Sequence, residues 1–453
     1  MKNILLVYPP FCTPASPPYS LANLYAFLKK NLDDKYAVDV LDLNVLFHKL
    51  KFPKFQEYYK SINKDMDFEE YNSKTKEFQG LTKDVYAKNN KLVVNGENPE
   101  LFKELVDKIK EMKPDIVAIS VVYSSQVFYT YSIIKELKKH GIKTVIGGPA
   151  VNPKIIDACD AHLKNEMELI GFINGKKHDE LDFDYYPLYD KFKLDDYFVG
   201  SPVIPIRTCT SCYYKKCAFC SHHQNSLYFE FTLDRIKDSI VNSGKKHIFI
   251  VDDMIHKKRL LEIADALKPL NVFWQCQLKP TIDLDYKTLK ILHDSGLRIV
   301  VWGVESACDR VLGLIEKGTN SKDIEKVLEG SKKAGIKNGV YIMAGFPGET
   351  KEEFIETIDF LKTNSANIDL VSVSIFGLQK GTPIYNNPEK FGIKIIEQKR
   401  TILEPKISYT LKSGLTQEEA SGMKKKYKKT LEKLNKYPKE MNFFREHMLS
   451  LEE

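Results

Sequence analysis

Apolar and polar positions along this chain fall into two successive blocks of the same kind. In the first, residues 4–8 form a short apolar run ended by Pro9-Pro10, 37–43 is a second β-rich run, 116–123 a fully apolar third, and 143–146 a fourth, closed by Gly147-Gly148-Pro149. Between them, 20–32, 101–112 and 129–140 carry apolar residues at helical spacing, as Leu21, Leu24, Phe27 and Leu28 show. Strands that are apolar along their whole length are buried on both faces, which calls for a parallel sheet with helices on each side. The pattern predicts an α/β fold whose first domain, residues 1–170, is a Rossmann-like doubly wound sheet with ligand sites at the carboxyl ends of its strands. A Lys/Glu/Tyr-rich stretch, 51–98, interrupts it. Helical segments are expected there near 57–63 and 69–78, as an insertion over the ligand edge of the sheet.

The alternation resumes after a less periodic linker, 171–199, which ends in the extended-looking Asp182-Phe-Asp-Tyr-Tyr-Pro-Leu-Tyr189. Strands are predicted at 202–206, 246–251, 272–277, 298–304, 338–344 and 370–376, with helices at 233–243, 258–267, 284–295, 324–333 and 351–361. Thr232 is a candidate N-cap, and Gly296 and Gly335 stop two of the helices. About six β/α units over 200–395 make a partial (β/α)6 TIM-like barrel, whose reacting groups belong at the carboxyl ends of the strands. The remainder, 396–453, is expected to be helical, with Thr416 and Glu419 as a capping box.

A length of 453 residues allows two or three domains, and 43% hydrophobic with 28% charged residues is ordinary for a globular chain with a sizeable core. No apolar run approaches the roughly eighteen residues of a membrane span, and the opening apolar run is too short for a secretion signal. The net charge of +7 comes from lysines spread along the chain, which reads as a solvated surface rather than a nucleic-acid footprint. Four of the eight cysteines, Cys209, Cys212, Cys217 and Cys220, crowd into one short stretch, while the others are scattered singly. Clustered thiols without paired spacing elsewhere indicate a reducing, cytoplasmic setting.

Thiolates gathered this closely are metal ligands or a redox pair. Cys209-x-x-Cys212 with Cys217-x-x-Cys220, or with His222 and His223, would make a zinc knob. Alternatively Cys212, Cys217 and Cys220 are three ligands of a [4Fe–4S] cluster, leaving one iron open. The predicted strand ends bear on this choice. One strand ends in Asp252-Asp253, the next but one reaches Glu305-Ser306, and a later one reaches Gly345-Phe346-Pro347-Gly348-Glu349-Thr350. A barrel with such ends does not accompany a zinc knob.

The segment Cys212-Tyr-Tyr-Lys-Lys-Cys217-Ala-Phe-Cys220, with an aromatic residue before its last cysteine, resembles the cluster loop of radical SAM enzymes, in a longer-spaced variant found in members with an N-terminal cobalamin-binding-type domain. The resemblance implies cluster ligation by Cys212, Cys217 and Cys220, with Cys209 a buried bystander. It implies SAM binding by Asp252, Asp253, Glu305, Ser306, Gly345, Pro347 and Gly348. Asp252 or Asp253 would meet the methionyl ammonium, although a helix N-cap explains an aspartate there as well; Glu305 would accept ribose hydroxyls. Gln275 and Gln277 either face the pocket or are a satisfied polar pair in the core. The first domain is similar to the cobalamin domain of the same families, which assigns Pro10, Ser120, Gly147 and Gly148 to cobalamin; the histidine motif that ligates cobalt is missing, since the first loop holds no histidine. The implied activity is reductive cleavage of SAM to a 5′-deoxyadenosyl radical and, with cobalamin, methylation of an unactivated carbon of a small-molecule, natural-product or peptide substrate. A flavodoxin- or ferredoxin-type protein would supply the electron. A radical cyclase, isomerase or oxidoreductase without methyl transfer, and a non-catalytic iron–sulfur protein, are the other readings.

Overall fold

The computed structural model describes residues 1–222, 227–396, 402 and 407–453. His223, one of the two imidazoles beside the cysteine loop, lies outside them.

Two parallel sheets carry the structure. The first has five strands, β1 (Lys2–Tyr8), β2 (Tyr36–Asp42), β3 (Ile116–Ser120), β4 (Lys143–Gly147) and β5 (Ala161–His162), in the order β2-β1-β3-β4-β5. Its central strands β1 and β3 are almost wholly buried, as their unbroken apolar runs require. The doubly wound order places the ends of β1 and β3 side by side at the switch point, where ligands bind in such sheets. The two-residue β5 escaped the sequence reading because it is too short to show a period.

The second sheet has six strands, β6 (Val203–Ile206), β7 (His247–Ile250), β8 (Phe273–Leu278), β9 (Leu297–Glu305), β10 (Lys337–Ala344) and β11 (Leu370–Ile375), in simple sequential order with every pair parallel. Each is followed by a helix or helical turn, the arrangement of a partial barrel. Helix termini agree with their local chemistry. Thr232 caps Leu233–Ser243 by accepting from the Arg235 N–H, and Thr350 and Glu353 form a reciprocal capping box at Lys351–Thr363.

The insertion and the tail depart most from expectation. The insertion is two helices, Pro53–Ser61 and the 27-residue Phe68–Val94, far longer than the two short segments predicted. The predicted tail helix is broken into Gln417–Lys426 and Lys428–Leu434, and beyond it only the short turns Lys439–Asn442 and His447–Ser450 are helical. The reason is aromatic packing. Phe444 stacks on His447 at 4.3 Å and packs on Tyr59 at 4.8 Å, with Phe78 and Phe198 completing a cluster that joins insertion, linker and tail. The His447 ring is held between the Tyr71 hydroxyl (2.7 Å) and the Phe198 carbonyl (2.6 Å). Beyond this cluster the chain runs on to bring Glu452 to the far end of the barrel. Glu452 there meets Lys337 and Arg298, from the first residues of β10 and β9, and its carbonyl lies 2.8 Å from the His247 ring nitrogen on β7. The tail therefore closes the amino-terminal mouth of the barrel.

Candidate active site

The cysteine loop follows β6 and is fixed at both ends. At its start, the fully buried Asp252 accepts from the Thr208 N–H through both carboxylate oxygens at 3.0 Å, from the Thr208 hydroxyl, and from the Cys209 N–H at 3.4 Å. Burial pushes this carboxyl up to about 6 despite those donors. Farther along, the Ala218 N–H donates to the Ile315 carbonyl (2.9 Å) and the Tyr214 hydroxyl to the Glu316 carbonyl (2.8 Å). Gly318, at φ +67°, is where Tyr214 lies closest, since a Cβ there would stand 2.2 Å from the tyrosine oxygen. The loop is thus clamped between the end of β7 and the turn after the helix Asp309–Leu314.

Cys212, Cys217 and Cys220 are free, half-buried thiols. Burial raises Cys217, with Lys317 and Lys279 opposing, and pushes Cys220 up to about 11, where the negative charge of Cys217, Asp253 and Cys212 adds to the effect. The three thiols thus act on one another electrostatically, although among the described residues no three His, Cys, Asp or Glu side chains are gathered closely enough to hold a metal ion. Three unpaired soft donors in partly dry surroundings fit an iron–sulfur cluster. The buried Ser211 hydroxyl next to Cys212 has no hydrogen-bond partner, as expected of a group waiting for an acceptor. Cys209 is fully buried, donates to the Ser211 carbonyl at 3.3 Å, and pairs through its backbone with Glu230.

Around the thiols stand groups that sequence reasoning missed. Lys317, 6% exposed, pairs with Glu305 at 2.9 Å, and its ammonium lies 5.6 Å from the centre of the Phe219 ring, the aromatic residue before the last cysteine. Lys279, also 6% exposed, sits 3.3 Å over the Tyr214 ring, and burial pushes it down to about 8. Neither has a sequence signal of its own, since a lysine just past a strand, like Lys279, or past a helix, like Lys317, is usually solvated. Gly303 makes room for the Lys317–Glu305 pair: a Cβ there would be 3.0 Å from both the carboxylate oxygen and the ammonium.

The other predicted residues take different places. Asp253 pairs with His222 at 2.6 Å. Neither aspartate caps the next helix, because His256 does so by accepting from the Arg259 N–H. The Ser306 hydroxyl is spent on Thr357 (3.1 Å) and the Cys308 N–H (3.2 Å), under the helix Lys351–Thr363. Gly345 and Gly348 adopt φ +77° and +90°, so the turn containing Pro347 needs both glycines. Glu349, 1% exposed, accepts from the Gly345 N–H with one oxygen and leaves the other unpaired; burial pushes it up to about 7. Gln275 is buried and donates to the Arg445 carbonyl (3.2 Å), whereas Gln277 is half-buried.

At the first sheet, Pro10 is buried in the loop after β1, whose course is set by Gln126: its amide donates to the Pro9 carbonyl (2.7 Å) and accepts from the Val122 and Tyr123 N–H groups. The Ser120 hydroxyl bonds Ser20 at 2.9 Å. A Cβ on Gly147 would lie 2.9 Å from the Leu163 carbonyl oxygen, and one on Gly148, at φ +113°, 2.4 Å from that of Val121. Close approach of neighbouring loops thus accounts for both glycines. The helix beside this edge touches the barrel: Arg235, from the helix Leu233–Ser243, donates to the Asn23 side chain at 2.7 Å and acts on the Tyr19 hydroxyl, which burial nevertheless pushes up to about 12.

Comparison with known proteins agrees with this geometry. Residues 203–361 match the radical SAM superfamily. Over that stretch, which is less than half of the chain, it is similar to radical SAM domains. The chain is similar to an uncharacterized methyltransferase of Pyrococcus horikoshii, 27% identical over an alignment of 335 positions that covers 63% of this chain and 71% of the relative. Among solved structures, the radical SAM methyltransferase TsrM from Kitasatospora setae, with cobalamin and a [4Fe–4S] cluster bound, superposes with a TM-score of 0.59 at 16% identity, over 87% of this chain and 77% of TsrM. The cobalamin-dependent radical enzyme OxsB, with aqua-cobalamin bound, gives 0.61 at 13% identity, over 94% of this chain and 66% of OxsB. At these identities the two structures establish a shared fold. No helix among the described residues is long and apolar enough to cross a membrane.

Proposed function

We propose that this protein is a cobalamin-dependent radical SAM C-methyltransferase acting on an unactivated carbon of a small molecule or peptide. The observation that carries the reading is a three-thiol loop at the carboxyl end of one parallel sheet, in a chain whose other parallel sheet ends in glycines and hydroxyls and touches the barrel through Asn23 and Arg235. In this reading the domain limits are 1–170, 171–199, 200–395 and 396–453. Cys212, Cys217 and Cys220 hold the cluster; Asp253, Glu305 and the turn Gly345-Phe346-Pro347-Gly348 hold SAM. Pro10, Ser120, Gly147 and Gly148 border the corrin. Bound there, the cluster and SAM would supply a 5′-deoxyadenosyl radical, and cobalamin a transferable methyl group.

The chain's own residues make that chemistry workable. Lys279 and Lys317 place two buried ammonium groups beside the thiolates and offset the negative charge of a thiolate-bound cluster. Glu305 is held by Lys317, so its free lone pairs can accept hydroxyl donors without reorganisation. Asp252 serves by position, because its bonds to Thr208 and Cys209 set where the loop begins. Asp253, whose hydrogen-bond partner among the described residues is His222, is the aspartate available for an ammonium. The clamped loop and the tail keep bulk water from the barrel interior, protecting a radical. An external flavodoxin- or ferredoxin-type donor in a reducing cytoplasm would supply electrons.

The test is transfer of a deuterated methyl group. Protein reconstituted without oxygen is given reductant, SAM labelled in its methyl group, hydroxocobalamin and a small-molecule extract of its source. Appearance of a product carrying the label, together with 5′-deoxyadenosine, is the expected result. Formation of 5′-deoxyadenosine with no labelled product would replace this reading with radical cyclisation, isomerisation or oxidation.

A further inference from the structure

Six of the seven arginines fall among the described residues. Five have a backbone carbonyl as guanidinium partner: Arg207 has Thr210, Arg235 has Tyr185, Arg259 has Phe231, Arg298 has His293, and Arg310 has Gly348. Each also has a carboxylate or a side-chain amide. Arg445 differs. It is half-buried; its neighbours are the Tyr341 hydroxyl, the Phe249 ring, 5.7 Å from the guanidinium carbon, and Glu446, whose charge acts on it from beyond ion-pair distance among the described residues.

Its position is specific. The Arg445 carbonyl is tied to Gln275, and Phe249 and Gln275 are register partners on β7 and β8, so they share a face of the sheet. Tyr341 on β10 is the register partner of Gly303, over which the Lys317–Glu305 pair lies. The next residue of the tail, Glu446, accepts from the Ser16 hydroxyl (3.0 Å), in the loop after β1. Tyr123, at the end of β3, is in electrostatic reach of both. Arg445 therefore stands on the inner face of the barrel, below the strand ends and opposite the edge of the first sheet. Four residues of strand separate Tyr341 from Gly345, about 13 Å at the rise of an extended strand.

A guanidinium with no carboxylate at ion-pair distance keeps its planar fork free, and that fork matches a carboxylate with two parallel bonds. We propose that Arg445, assisted by Tyr341, anchors the substrate by a carboxylate, so that the substrate lies along the inner face with its reacting carbon toward the strand ends. The substrate class is then a carboxylate-bearing molecule. This rests on the reading that the space between the two sheets is the active site.

The probe is carbon-14 benzoate in equilibrium dialysis against the full chain with reconstituted cofactors, with benzamide as its neutral competitor. Saturable benzoate binding is expected, undisturbed by benzamide, weakened about tenfold by Arg445→Gln, less by Arg445→Lys, and two- to threefold, roughly, by Tyr341→Phe at unchanged melting temperature. Absence of saturable binding, equal binding by Arg445→Gln and wild type, or displacement by SAM or hydroxocobalamin would overturn the proposal. Iron and cobalt are counted on the same samples. Retained cobalt without benzoate binding removes this inference alone, and benzoate binding without cobalt removes the cobalamin reading alone.

Discussion

At the carboxyl end of the barrel the strands run out into thiols, carboxylates and lysines held in dry surroundings. At the carboxyl end of the first sheet they run out into glycines and hydroxyls pressed against neighbouring backbone. Both ends belong to parallel sheets, and both are where such sheets place ligands. The difference lies in what the residues themselves reveal. Cys217, Glu305 and Lys317 have no use as core packing, and a buried lysine paired with a half-buried carboxylate near a half-buried thiol suits a cofactor. Gly147 and Gly148 are already required by the Leu163 and Val121 carbonyls, whatever binds above them.

The largest effect in this comparison is at the thiols. Cys217→Ser should bring bound iron to background and reduce 5′-deoxyadenosine formation more than about a hundredfold, by iron assay and chromatography. Cys209→Ala, a few residues away, should keep its iron and lose about 1 kcal/mol of stability, because it removes only a small buried group. Equal iron loss in both would break the distinction between ligand and bystander.

Next is the first sheet. Gly148→Ala forces a side chain into φ +113° against the Val121 carbonyl and should cost about 1–3 kcal/mol in chemical denaturation, while cluster iron stays bound in the folded fraction. Loss of iron from folded protein would show that the two edges do not act separately.

Glu349 gives a pH-dependent difference on the barrel side. Its folded-state value, about 7, is raised above the ordinary carboxyl value by burial, so the native state holds its proton longer than the unfolded chain. Its contribution is therefore present at low pH and is lost as pH rises from about 4.5 to about 7. Against wild type, Glu349→Gln should gain about 1–3 kcal/mol in relative stability between pH 5 and pH 8, read from paired denaturation curves. A constant difference across that range would contradict the burial argument. The smallest effect expected is Ser120→Ala, which removes one hydroxyl bond to Ser20 and should cost about 0.5–1.5 kcal/mol with iron unchanged.

The alternation of apolar strands with helical segments was legible in the sequence because parallel strands buried on both faces leave long apolar runs. The strands of both sheets appear within a few residues of their expected places, apart from β5. The thiol loop was legible because three cysteines at that spacing have few other uses. What the sequence concealed came from contacts between distant segments. Lys279 and Lys317 lie beside the cluster loop only because the loop docks on the turn near residue 316. The tail looked like plain helix because its Lys/Glu pattern gives no hint that Phe444 and His447 would pack with Tyr59. Ser306 reads as a site residue by motif, yet in three dimensions its hydroxyl is satisfied by Thr357.

The central claim, that one edge holds a cluster and the other cobalamin, is tested most directly by counting metals. The full chain is purified without oxygen, reconstituted with iron and sulfide, supplied with hydroxocobalamin, desalted and analysed for iron and cobalt. The account predicts about four irons and about one cobalt per chain, with Cys217→Ser losing the iron and keeping the cobalt. About four irons with no cobalt would contradict it, leaving a radical SAM enzyme whose first sheet serves another purpose.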